Sequence, residues 1–182
     1  DFLDLKVNYY AKTNFSGITN IIDALGGVEV DSPYEFTTLH GNYKIKKGVN
    51  ELNGDQALCF VRERYALPSG DFDRGKNQQR LLKAMLKKAM SPKIITNYSN
   101  ILAAVEGSFE TDMSSDDIKS LVNMQLDDMA GWKIKQISVS GTGGSDWTPA
   151  NGFNAYVAYP DMDSVHEAVE MMRKIEKNEI IE

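Results

Sequence analysis

Apolar positions along the chain change period several times, and the changes divide it into elements. In "SGITNIIDALGG" Ile18, Ile21, Ile22 and Leu25 recur at helical spacing, and Gly26 and Gly27 predict the stop. Before it, "DLKVNYYAKTN" alternates, with Val7, Tyr9 and Ala11 on one side, and predicts a strand. After it, "VEVDSP" predicts a short strand closed by proline, and residues 34–50 predict a hairpin with "HGN" and "KKG" as turn signals. In "LNGDQALCFVRER" Asn53 and Gln56 have capping-box spacing, so a helix is expected to run to about Arg62. Pro68 restricts Leu67 and Gly70 relaxes the chain, which makes residues 65–71 a loop. Good helix formers then predict a long helix from Asp73 to Ala89, packed by Leu81, Leu82, Met85 and Ala89.

Further along, "SPKIITNYSNILAAVEGSF" predicts helix with Ser91 and Pro92 as N-cap and N1. "MSSDDIKSLVNMQLDDM" predicts another, capped by Ser114 with Asp117. "WKIKQISVS" alternates and predicts a strand, "GTGGSDWTPANG" a loop and "FNAYVAYP" a strand. "SVHEAVEMMRKIEK" predicts a closing helix capped by Ser164 with Glu167. Strands and helices mix without a regular repeat, and no low-complexity linker divides them. The expected fold is α/β, a mixed sheet with helices on both faces in three layers. A chain of 182 residues suits a single domain over 1–182.

Composition changes this picture little: 42% apolar and 25% charged residues are ordinary for a globular domain. A net charge of −6 opposes a broad basic face, so no nucleic-acid partner is expected. The single cysteine, Cys59, lies in the apolar run "ALCFV" and predicts a buried, inert thiol. His40 and His166 lack metal-ligand spacing. No apolar run approaches the roughly 18 residues of a membrane-spanning helix.

The distribution of arginine does change it. "VRERYALPSGDFDRGKNQQR", residues 61–80, holds four of the five arginines, whereas the fifteen lysines are scattered. A guanidinium is a planar fork that matches carboxylate or phosphate oxygens two at a time, which a lysine does not. With a helix starting near Asp73, Arg74 falls in its first turn and Gln78 one turn later on the same face, beside free N–H groups that favour an anion. Arg62 and Arg64 end the preceding helix. Two residues apart on a continuous helix they diverge by about 200°, so they converge only if the helix stops between them. Such a set suits a diphosphate, with Asp71 and Asp73 holding the arginines or helping a divalent metal. A solvated helix start with surface ion pairs fits the same residues.

The stretch "LNGDQALCFVRERYALPSGDFDRGKNQQRLLKAM" resembles the signature of the LytR-CpsA-Psr family, and "GITNIIDALGGVEVDSP" resembles the segment before it. The resemblance implies a phosphotransferase of mainly Gram-positive bacteria. Such an enzyme moves a teichoic acid or capsular polysaccharide from a polyprenyl-pyrophosphate carrier to peptidoglycan. It implies membrane anchoring and action at the extracellular face of the cytoplasmic membrane. By position it gives Arg62, Arg64, Arg74 and Gln78 the pyrophosphate, and makes Asp71 the residue that orients them. Arg62, Arg64, Asp71 and Arg74 are thus the expected catalytic set. An apolar tunnel between sheet and helices is implied for the polyprenyl chain, and Mg2+ for the cofactor. Its aspartate ligands are expected upstream of Asp1, with Asp71 and Asp73 as further candidates. A chain truncated before those strands would expose a sheet edge near residues 7–14, through which self-association is expected. Two other readings are a non-catalytic polyprenyl-pyrophosphate binding module and an envelope-related transcriptional regulator. The latter is opposed by the net charge and by the lack of a basic recognition-helix pattern.

Overall fold

A computed structural model describes residues 2–179. Strand β1 (Ala11–Thr13) leads into α1 (Phe15–Ala24), whose N-cap Asn14 accepts a hydrogen bond from the Gly17 amide. Gly26 and Gly27, both at positive φ, turn the chain into β2 (Val28–Ser32). Strands β3 (Phe36–Thr37), β4 (Lys44–Ile45) and β5 (Gly48–Leu52) follow. Then come α2 (Gly54–Arg62), α3 (Asp71–Ala89), α4 (Pro92–Ile95), α5 (Tyr98–Ala104), β6 (Phe109–Thr111) and α6 (Ser115–Asp128). A hairpin of β7 (Gly141–Thr148) and β8 (Phe153–Pro160) precedes α7 (Met162–Glu176).

Strands and helices mix as expected of an α/β protein. Among the described residues the strands pair two by two, all antiparallel: β1 with β6, β2 with β5, β3 with β4, and β7 with β8. The chain forms two compact units, residues 8–134 and residues 1–7 with 135–182. In the first, one apolar cluster runs from Ile22 to Leu81 and includes Val28, Val30, Ile45 and Phe60. The Phe36 and Phe60 rings stack at its centre, 5.9 Å apart. Gly54 lets the first turn of α2 approach α1 closely, since a Cβ there would lie 2.4 Å from the Thr19 carbonyl oxygen.

Several expectations are corrected. Of "DLKVNYYAKTN" only Ala11–Thr13 is strand, and Val7 is 80% exposed, because β6 offers a ladder to three residues alone. The 34–50 hairpin ends at Ile45, and the chain after "KKG" crosses to pair with β2. The helix expected after Ser91 breaks at Thr96 and Asn97. Thr96 Oγ1 bonds back to the Pro92 carbonyl, and Asn97 leaves helical geometry with its side chain on Asn100. Residues 131–140 have no regular structure, and the glycine-rich 141–148, expected as loop, takes the ladder with β8 instead. Glycine is useful there because the Tyr156 and Tyr159 rings lie where Cβ atoms of Gly143 and Gly144 would stand. Asp161, not Ser164, caps α7. Leu82 is 57% exposed, whereas Leu81, next to it on α3, is buried.

Candidate functional site

The site begins with how α2 ends. Its start is fixed by a complete capping box between Asn53 and Gln56. Its end falls at Arg62 because Glu63 is extended, with φ −66° and ψ 137°. Arg64 therefore leaves the helical direction of Arg62, which is the stop that convergence required. The Glu63 carboxylate holds the new direction. Its Oε1 accepts from the amides of Arg64, Tyr65 and Ala66 at 2.8 to 3.0 Å, and its Oε2 from the Leu39 amide at 2.6 Å. Burial pushes the Glu63 carboxyl up, but the four N–H donors outweigh it and hold it below the usual carboxylate range.

Leu67, 6% exposed, pins the loop to the core. Gly70, at φ +51°, then turns it into α3, a conformation that costs a residue with a Cβ more. Asp73 is buried, and its Oδ2 accepts from the Ser69 amide at 2.9 Å, so it closes the start of the helix. Asp71, exposed, is the meeting point. Its Oδ1 lies 3.7 Å from Arg64 Nη1 and 3.4 Å from Arg74 Nη2. Both distances exceed the 2.7–3.2 Å of a close N–H···O bond, so the two forks are oriented without being saturated. Arg64 also stacks over the Tyr65 ring at 4.6 Å and donates to its hydroxyl.

The structure thus brings Arg64, Asp71 and Arg74 together, with exposed Gln78 one turn on from Arg74. Arg62 instead lies over the Phe15 ring, 4.8 Å from its centroid. Arg80 turns aside, donating to Asn77 Oδ1 at 2.8 Å. Cys59 is half-buried rather than fully buried, and burial first, opposed by Arg62, raises its thiol pKa, which keeps it inert. Glu63 was invisible to the sequence reading. A signal exists in the acid set between two arginines at a helix end, but its bond to Leu39 crosses 24 residues. As to a metal, Asp71 is shared by two arginines and Asp73 is turned to the loop amide. Among the described residues no group of three or more His, Cys, Asp and Glu side chains could hold an ion. These two aspartates by themselves do not fit Mg2+.

Two cationic forks sharing one carboxylate keep a net positive charge, at a helix N-terminus that adds partial charge of the same sign. Chemically, that is an α/β protein with a pair of guanidiniums at a helix start, a charge arrangement suited to an oxyanion. The LytR_cpsA_psr family model matches residues 1–174, and the chain belongs to that family. Two similar relatives carry the name polyisoprenyl-teichoic acid–peptidoglycan teichoic acid transferase TagU. That of Enterococcus faecalis is 33% identical over 144 residues, 79% of this chain and 46% of the relative. That of Bacillus cereus strain AH820 is 39% identical over 115 residues, 63% of this chain and 37% of the relative. The chain therefore spans less than half the length of these curated relatives. The crystal structure of B. subtilis TagV superposes with a TM-score of 0.76 at 25% identity, over 99% of this chain and 68% of that one.

Proposed function

We propose that the chain is part of a phosphotransferase that attaches a teichoic-acid-type polymer to peptidoglycan from a polyprenyl-pyrophosphate carrier, at the extracellular face of the cytoplasmic membrane. The observation that carries this reading is the meeting of Arg64 and Arg74 at Asp71. In it, the two forks take the diphosphate oxygens, Arg62 adds charge from the end of α2, and Gln78 fixes orientation. A peptidoglycan hydroxyl attacks the phosphorus nearer the polymer. The new O–P bond forms as the bond from that phosphorus to the bridging oxygen breaks, polyprenyl phosphate leaves, and the hydroxyl proton passes to solvent or to the departing phosphate. Charge neutralisation by preorganised arginines is the protein's main contribution to such a step. Asp71 keeps both guanidiniums in place. No step is assigned to Mg2+.

The exposed face of α3 supports the carrier assignment. From Arg74 and Gln78 it continues through Leu82 and Leu86, which are 57% and 40% exposed. Residues four apart share a helix face, so polar groups for a diphosphate are followed by apolar surface suited to a prenyl chain. No helix among the described residues is long and apolar enough to cross a membrane.

Calorimetric titration with geranylgeranyl pyrophosphate tests the reading. Arg74→Ala removes charge-assisted hydrogen bonds of about 1.5–3 kcal/mol. Binding should weaken at least tenfold, about 1.4 kcal/mol, with an unchanged melting temperature. Arg74→Lys should recover only part of the loss. A folded Arg74→Ala protein with parental affinity, or a parent that does not bind, would sink it.

A further inference from the structure

At the other end of α3 a cavity of about 240 Å³ opens between that helix and the end of α6, with Lys83, Lys87, Gln125, Met129 and Trp132 in its wall. Lys83 and Lys87 are one turn apart and face the same side. No carboxylate lines the cavity, and neither lysine forms an ion pair among the described residues. The indole opposite is fixed. Gln125, 5% exposed, accepts from Trp132 Nε1 through Oε1 and donates through Nε2 to the Ala130 carbonyl at 3.2 Å. Met129 makes this geometry by closing α6 in the left-handed conformation, at φ 51° and ψ 30°, which folds residues 130–132 back toward Gln125. Trp132 remains 52% exposed, so ring surface is left open.

We propose that this cavity is a second anion site that takes a phosphorylated sugar, with the ring against the Trp132 indole and the phosphate between the Lys83 and Lys87 ammoniums. Two ammoniums with no carboxylate beside them call for a multiply charged anion, and lysine receives phosphate as a point charge without the fixed geometry of a guanidinium. The indole offers a flat apolar surface. Its N–H is already committed to Gln125, so it selects by shape rather than by hydrogen bonding. Lys83 and Lys87 lie nine and thirteen residues beyond Arg74, roughly 14 and 20 Å along the axis at 1.5 Å per residue. The site is therefore separate from the arginines and independent of the diphosphate reading.

The chain has two tryptophans, so Trp147→Phe leaves Trp132 as the sole indole reporter. Titration of that variant with N-acetylglucosamine 1-phosphate should give a saturable change in emission. N-acetylglucosamine without phosphate should bind at least tenfold more weakly. In the same background the double variant Lys83→Gln/Lys87→Gln should also lose at least tenfold, with its circular dichroism unchanged, while Arg74→Ala should bind as before. No saturable response, an equal response to the uncharged sugar, or undiminished binding in the lysine variant would overturn the site. Equal loss in Arg74→Ala would move the ligand to the arginines and overturn it too. Tighter binding of adenosine 5′-monophosphate would overturn the sugar assignment.

Discussion

Glu63 shows how one side chain can set the geometry of its neighbours. It lies between Arg62 and Arg64, takes four backbone N–H groups, and so decides that α2 ends where Arg64 can reach Asp71. Its carboxyl is held below the usual range in the folded protein. A depressed folded pKa means stabilisation that is fully present above the unfolded value, about 4.3 for Glu, and lost as pH falls through the folded one. Glu63→Gln removes the charge at nearly constant shape. Its melting temperature should fall below the parent's at neutral pH, and the gap should close on acidification below about pH 4. A gap that persists undiminished to pH 3 would show that charge is not the cause.

At the scale of the element, α3 has two faces that composition does not separate. Leu81 packs into the core at 4% exposure, while Leu82 stands out at 57%. Both are leucines in a run of good helix formers, and they diverge by about 100° on the helix. Leu81→Ala should cost roughly 2–5 kcal/mol in chemical denaturation by transfer and cavity terms. Leu82→Ala should cost much less, under about 1 kcal/mol, because no buried cavity is made. It should instead weaken geranylgeranyl pyrophosphate binding relative to inorganic pyrophosphate if the apolar stretch carries the prenyl chain. Equal stability losses in the two variants would contradict the face assignment.

For the whole molecule, burial is uneven. The apolar cluster of the first unit spans residues 22–81, whereas in residues 135–179 Val165 and Ala168 are the buried apolar side chains among the described residues. Stability against local opening follows buried contact, so amide exchange should be slowest in β2, β5 and α2 and faster throughout β7 and β8. Hydrogen exchange read by mass spectrometry resolves this directly. Protection in the β7–β8 hairpin equal to that of α2 would mean that burial does not rank the two units.

The sequence by itself determined the features that close within a few residues. The capping boxes at Asn53 with Gln56 and Ser114 with Asp117, the stop of α1 at its glycines, and the α2–loop–α3 order of the arginine stretch are all found as read. Such caps are bonds between groups three residues apart, so the residue types alone specify them. Tertiary structure decided the rest: β5 crossing to β2, strand in the glycine-rich 141–148 rather than in the alternating 132–140, exposure of Leu82, and the Glu63 bond to Leu39. A ladder needs a partner strand and burial needs an opposing surface. Periodicity records neither, because both belong to pairs of segments brought together only when the chain folds.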